Sequence, residues 1–300
     1  MENDLTFTIS SPERNRVVGG TLYLVATPIG NMADITYRAV KVLSEVDFVA
    51  AEDTRNSGRL LSLLGISKPM LSYHEHNKAA RGPEIAARLG AGECCALVTD
   101  AGTPGISDPG EDLVRLCADA GIPVVSLPGA CAGITALTVS GLPTARFCFE
   151  GFLPTSGRER RERLDAISAE ERTVIIHEAP HRLRATLADL AGHMGGERRI
   201  SLCRELTKLN EEVLRMTLAA AVEYYDSNDP RGEYVLIIEG AEPKNAAGFW
   251  NDMTPAEHVA HYIGAGMSEK EAIKAAARDR GVPKNAVYNE YVKQKNESGK

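Results

Sequence analysis

The 300-residue sequence predicts an α/β fold built in two halves and followed by a small helical unit, and three observations carry that expectation. From Thr21 onward, short β-branched or apolar runs alternate with segments of helical period, the pattern of a largely parallel sheet with helices between its strands. The alternation breaks over residues 141–147, where Gly, Pro and Thr interrupt it. Past Gly240 strand signals cease, and the chain is long for a single core.

In chain order, residues 1–19 are polar and mixed in charge and read as a flexible N-terminal tail. Strands are expected at 22–26, 48–51, 96–99, 124–127, 173–176, 200–203 and 234–239, with helices between them such as 79–89, 113–120 and 182–191. Residues 20–140 form the first α/β domain and 141–240 the second. Residues 241–300 form a linker and a C-terminal helical extension. Thr254-Pro255-Ala256-Glu257 supplies an N-cap, a proline at the first helical position and a capping-box glutamate, and Gly264 stops the run. Ser268 and Glu271 repeat the device and Gly281 closes it; a third helix runs over 283–295. The unit resembles a helix-turn-helix, and a packing or dimerisation appendage is the alternative.

Composition narrows the function classes. A 43% hydrophobic and 25% charged sequence is that of an ordinary globular protein, and no apolar run approaches the length of a membrane span, so a cytoplasmic location is expected. The six cysteines are scattered, without Cys-x-x-Cys or zinc spacing, and read as reduced, buried thiols. A net charge of −7 argues against nonspecific coating of nucleic acid. Basic residues nonetheless concentrate locally, at Arg158, Arg160, Arg161 and Arg163 and again over 267–295.

The most informative stretch is Val98-Thr99-Asp100-Ala101-Gly102-Thr103-Pro104-Gly105-Ile106-Ser107-Asp108-Pro109-Gly110-Glu111. It leaves a buried strand, runs through small residues and re-enters a helix that Asp108, Pro109 and Glu111 cap, at the strand end where open α/β sheets bind ligands. Gly105 and Gly110 have P-loop spacing, but Glu111 and Asp112 stand where Lys and Ser/Thr are required, and no Gly-x-Gly-x-x-Gly follows any expected strand. A ligand with a cationic centre and an amino-acid tail, recognised by backbone groups and a carboxylate such as Asp100, remains compatible, and adenosylmethionine is one. Two more loops, Ala26-Thr27-Pro28-Ile29-Gly30-Asn31 and Leu127-Pro128-Gly129-Ala130-Cys131-Ala132-Gly133-Ile134-Thr135-Ala136, leave other strand ends and complete a cleft.

Together with Ala51-Glu52-Asp53-Thr54-Arg55, His74-Glu75-His76-Asn77, Phe149-Glu150-Gly151-Phe152-Leu153-Pro154 and Arg204-Glu205-Leu206-Thr207-Lys208, these loops closely resemble the tetrapyrrole methylase superfamily, in its branch acting on small-subunit ribosomal RNA. The resemblance runs in order from about residue 20 to 240 and extends to the helical tail. It implies a two-domain tetrapyrrole-methylase-like fold, a homodimer, and S-adenosyl-L-methionine in the cleft between the domains. The implied reaction is 2′-O-methylation of cytidine 1402 in 16S ribosomal RNA. The cofactor would be surrounded by Pro28 and Gly30; by Asp100, Ala101, Gly102, Thr103, Pro104 and Ile106; by Pro128, Gly129, Ala132, Thr135 and Ala136; and by Gly232 and Glu233. His177 stands where the family commonly has Tyr, and it receives no family role.

A ribose hydroxyl is a poor nucleophile, so a base or a cation that lowers its pKa assists transfer. Glu205 and Lys208, leaving the 200–203 strand, are the candidates for base and electrostatic stabiliser. Arg55, Arg59, His76, Asn77, His181, Arg182 and Arg204, with Lys284 and Lys293 of the tail, are the candidates for RNA contact, since basic and polar side chains at loop edges are the usual positioning groups. Glu52, Asp53, His74 and His76 lack a recurring ligand spacing, so no metal is expected. Two other functions remain open: C-methylation of a tetrapyrrole on the same fold, and noncatalytic binding to RNA or the ribosome.

Overall fold

A computed structural model describes residues 16–242 and 249–297. The expected tail over 1–19 and the linker from 241 lie largely outside the described residues. The chain divides into two compact units after Gly240.

The first unit holds two five-stranded sheets. In the first sheet, β1 (Leu22–Val25), β2 (Phe48–Ala51), β3 (Met70–Ser72), β4 (Cys95–Val98) and β5 (Val124–Leu127) run in the order β3-β2-β4-β1-β5, and every neighbouring pair is parallel. The central strands β1, β2 and β4 are buried along their whole length, which is why they read as unbroken apolar runs rather than alternating ones. Helices α1 (Tyr37–Glu45), α2 (Thr54–Leu63), α3 (Lys78–Gly90) and α4 (Gly110–Asp119) supply the crossovers. The side chains of Thr36 and Asp53 cap α1 and α2.

The second sheet departs from the largely parallel expectation. Strands β6 (Phe147–Phe152), β7 (Thr173–Glu178), β8 (Arg199–Arg204), β9 (Glu212–Thr217) and β10 (Tyr234–Ile238) lie in the order β6-β7-β10-β8-β9. Only β6 and β7 are parallel; β10 is antiparallel to both β7 and β8, and β8 is antiparallel to β9. A short connection at 205–211 turns β8 straight back as β9, with no helix to return the chain to the same end.

Helices α6 (Gly157–Ser168), α7 (Pro180–Met194) and α8 (Leu218–Ser227) bring Leu164, Leu183, Leu187, Leu190 and Leu218 onto one face of this sheet, against Val174, Ile176, Leu202 and Leu236. The opposite face, with Ile175, Cys203, Val235 and Ile237, packs on Ala136 and Leu137 of α5 (Ala132–Val139). Helix α5 follows the last strand of the first sheet yet buries its side chains on the second, so one short helix joins the two halves.

The second unit contains α9 (Pro255–Gly264), α10 (Glu269–Asp279) and α11 (Lys284–Glu297). Thr254 with Glu257 and Ser268 with Glu271 both close complete capping boxes. Val259, Ala272, Ile273, Ala276 and Val287 make its core. His258 is fully buried, stacks on Trp250 at 4.9 Å between ring centres, and accepts a hydrogen bond at Nδ1 from Nε of Arg280 at 3.1 Å.

Candidate active site

The three loops leaving β1, β4 and β5 are tied together through their backbones. Thr27 and Gly102 exchange two N–H···O bonds of 2.9 and 3.0 Å, and the Thr103 hydroxyl donates to the Ala130 carbonyl at 2.9 Å. Gly129 lies flat against Ala26, where an added Cβ would fall 2.5 Å from the alanine methyl. The carboxylate of Asp108 accepts from the N–H groups of Gly105, Ile106 and Gly110 at 2.7 to 3.2 Å. The aspartate expected as a simple helix cap therefore shapes the whole loop, with Ser107 left-handed inside it.

These loops form one wall of a cavity of about 520 Å³, through Ile29, Ala101, Gly102, Thr103, Ile106, Cys131 and Ala132. The opposite wall comes from the second sheet: Phe152, His177, Glu178, Pro180 and His181 on one side, Cys203, Leu206, Glu233, Tyr234 and Val235 on the other. The volume suits a small organic ligand, and apolar side chains alternate with bare backbone, as such sites require.

Of the residues expected at a cofactor, Ala101, Gly102, Thr103, Ile106, Ala132 and Glu233 line the cavity. Pro28, Gly30, Pro104, Pro128, Gly129, Thr135, Ala136 and Gly232 are not among its lining residues. Asp100 is exposed and accepts from the amide of Asn56 at 3.2 Å, away from the cavity lining.

Phe152, Leu206 and Tyr234 line the cavity without having been singled out, although the first two lie inside motifs quoted for the resemblance. His177 is another wall residue. Its ring meets Phe149 and Phe152 edge to face at 5.3 and 5.5 Å, and its Nε2 is buried with no hydrogen-bond partner among the described residues. Burial pushes its pKa below the ordinary imidazole value, against a weaker opposing pull from Glu233, so the ring is neutral near pH 7. Burial pushes the Cys203 thiol up, which removes it as a nucleophile.

Glu205 and Lys208 stand beside this cavity in the turn after β8. Lys208 Nζ donates to Glu205 Oε1 at 2.9 Å and to Glu233 Oε2 at 2.8 Å, while the Glu233 N–H donates to Glu205 Oε1 at 2.9 Å. These donors hold the Glu205 carboxyl below its usual range, the Lys208 bond being the largest cause. For Lys208, burial works against the charge, but the bonds to Glu205 and Glu233 outweigh it and the pKa rises. The group is a fixed ammonium between two carboxylates. Glu205 therefore orients Lys208 better than it accepts a proton.

The residues expected at RNA differ in availability. Arg55 is exposed and forks onto Asp53, the cap of its own helix. Arg59, His76 and His181 are exposed, as are Lys284 and Lys293 on α11. Asn77 spends its side chain within its own turn, accepting from His74 N and donating to Ser72. Arg182 donates to the Leu153 carbonyl at 2.6 Å and pairs with buried Glu178, and Arg204 pairs with Glu212 across the β8–β9 ladder. No cluster of three or more metal-ligating side chains occurs among the described residues.

The family model for tetrapyrrole (corrin/porphyrin) methylases matches residues 21–222. Proteins named ribosomal RNA small subunit methyltransferase I are similar throughout: the one from Synechocystis sp. is 48% identical over 90% of this chain and 96% of its own length, and that of Bacillus subtilis is 46% identical over 91% and 94%. Among solved structures, uroporphyrin-III C-methyltransferase from Thermus thermophilus, complexed with S-adenosylhomocysteine, superposes with a TM-score of 0.52 at 19% identity, over 73% of this chain and 97% of that one. A cobalt precorrin-4 methyltransferase gives 0.54 at 14% identity, over 77% and 98%. By the span of the family model and the identity to these relatives, the chain belongs to the tetrapyrrole methylase family, among its ribosomal RNA small subunit methyltransferase I members.

Proposed function

We propose that the protein transfers a methyl group from S-adenosylmethionine to the ribose 2′-oxygen of cytidine 1402 in 16S ribosomal RNA, acting in the cytoplasm as a homodimer on the small ribosomal subunit. The cavity between the three tied loops and the second sheet carries this reading. Gly102, Thr103, Ile106 and Ala132 on one wall and His177, Leu206 and Glu233 on the other would hold the cofactor, with Pro28, Gly30, Asp100, Pro128, Gly129 and Gly232 shaping the loops around it. The bound cofactor supplies an electrophilic methyl group on a sulfonium centre.

The walls orient and exclude water, which accounts for much of the acceleration in a displacement of this kind. Lys208, fixed by Glu205 and Glu233, would hold a positive charge beside the 2′-oxygen, whose proton passes to bulk water as the oxygen takes the methyl group. Arg55, Arg59, His76 and His181, with Lys284 and Lys293, are the exposed side chains that would hold phosphate and ribose. A net charge of −7 supports recognition of a shaped, assembled particle over bulk attraction to RNA.

The test pairs calorimetry with S-adenosylhomocysteine and mapping of ribose methylation on small-subunit RNA from cells with and without the gene. A saturable site and a single methyl mark lost with the gene are expected. An empty cleft, or methylation of a porphyrinogen in place of RNA, overturns the reading.

A further inference from the structure

The turn at 205–208 is built under strain and pinned at both ends. Glu205 has φ 50° and Thr207 φ 66°, two side-chain-bearing residues in the left-handed region within three positions. Thr207 is β-branched, for which that region is a genuine outlier. Such a conformation persists only where the surroundings over-determine it, and here they do. On one side lies Gly30, where a Cβ would collide with Lys208 Cγ and sit 2.9 Å from Thr207 Oγ1 and 3.3 Å from the Leu206 carbonyl. On the other lies Gly232, itself at φ 78°, where a Cβ would sit 2.5 to 2.6 Å from the Glu205 side chain. The Thr207 hydroxyl is buried at this contact with no hydrogen-bond partner among the described residues. The Thr207 N–H donates to Glu211 at 2.6 Å and the Lys208 N–H to the Glu205 carbonyl at 3.0 Å, which closes the turn.

Neither the strain nor the unpartnered hydroxyl contributes stability, and relaxing the backbone would swing both neighbours of Thr207. Leu206 on one side lines the cavity, and Lys208 on the other carries the ammonium clasped by two carboxylates. We infer that Thr207 is a positioning residue: its left-handed backbone, in a turn held by Gly30 against Thr207 and Lys208 and by Gly232 against Glu205, fixes the Leu206 side chain and the Lys208 ammonium at the cleft before any ligand arrives. The inference rests on the methyl-transfer reading for its consequence and on the turn's geometry for its substance.

Thr207→Gly removes the conformational penalty and is compatible with folding, because glycine adopts positive φ freely. It is expected to leave Tm unchanged or raised, and to accelerate amide hydrogen exchange across 205–211 in the ligand-free protein by about tenfold. Affinity for S-adenosylhomocysteine is expected to stay within about threefold, while single-turnover methylation of small subunits falls by about tenfold or more. Thr207→Asn, which tolerates the left-handed region while keeping a side chain against Gly30, is expected to recover the rate to within about fivefold. A merely structural role predicts instead that Tm and rate fall together in both variants.

Wild-type exchange and rate in Thr207→Gly would overturn the inference. Absence of any S-adenosylhomocysteine site in the wild-type protein would overturn the functional reading, while the exchange measurement still decides whether Thr207 rigidifies the turn.

Discussion

The Lys208 ammonium lies 2.9 Å from the Glu205 carboxylate, and the same nitrogen lies 2.8 Å from Glu233, so one cation bridges two anions beside the cleft. Lys208→Ala leaves those anions facing each other and is expected to lower kcat by about tenfold to hundredfold with little change in cofactor affinity. The pH dependence follows from the depressed Glu205 pKa. Its stability contribution is present above the unfolded carboxyl value, about 4.3, and is lost as pH falls through the lower folded value. In Lys208→Ala the folded value rises toward the unfolded one, so this acid-dependent loss shrinks, which thermal melts between about pH 3 and 6 will show.

Gly129→Ala tests the knitting of the loops. The new methyl would meet the Ala26 methyl at 2.5 Å, and neither is the end of a flexible side chain. The loop after β5 must lift from the one after β1, which strains the Thr103–Ala130 bond between the second and third loops. A rise in the dissociation constant for S-adenosylhomocysteine of about tenfold or more is expected by calorimetry, with a modest loss of Tm.

Two arginines expected at RNA separate by their partners. Arg182 reaches the Leu153 carbonyl and the buried Glu178 carboxylate, so Arg182→Ala is expected to cost about 2 kcal/mol of stability in denaturant melts. Arg55 is exposed and pairs with its helix cap, so Arg55→Ala is expected to leave stability within about 0.5 kcal/mol. Its effect belongs in RNA affinity, with the salt slope reduced by about one.

The helical unit carries its own acid limit. His258 accepts from Arg280 at Nδ1, its Nε2 lies 3.5 Å from Asp279, Tyr262 packs beside it, and His261 packs on Tyr262 in turn. Burial first, and then the Arg280 charge, depress its pKa, against the pull of Asp279. The neutral ring contributes stability that is complete above the unfolded value of about 6.5 and is lost as pH falls through the folded one. Trp250, the one tryptophan in the sequence, stacks on this ring and reports the transition by fluorescence. His258→Gln is expected to flatten that acid limb, with some loss of stability at neutral pH.

Burial made the fold legible where a strand is covered on both faces. The runs forming β1, β2, β4, β7, β8 and β10 show themselves as apolar blocks because neighbours cover them. Three strands escaped for identifiable reasons. β3 has three residues at a sheet edge, β6 contains the positive-φ Gly151 and a register shift, and β9 is an edge strand carrying Glu212 and Arg215.

In the site, the glycine-rich loops announced themselves, but their division of labour did not. Gly30 and Gly129 read as ligand contacts, and their lack of a side chain also accommodates Lys208 and Ala26. Asn77 and Arg182 are polar residues at loop edges whose hydrogen bonds are taken up locally, which no pattern of residue types discloses.

Strand order also imposes a schedule on biosynthesis. β1 leaves the ribosome first, yet it sits between β4 and β5, whose partner residues follow some 70 to 100 positions later. β10 is the last strand made among the described residues and fills the gap between β7 and β8. A nascent chain that stops short of Ile238 thus holds two half-sheets with open edges, and such an intermediate is the one a chaperone must shield.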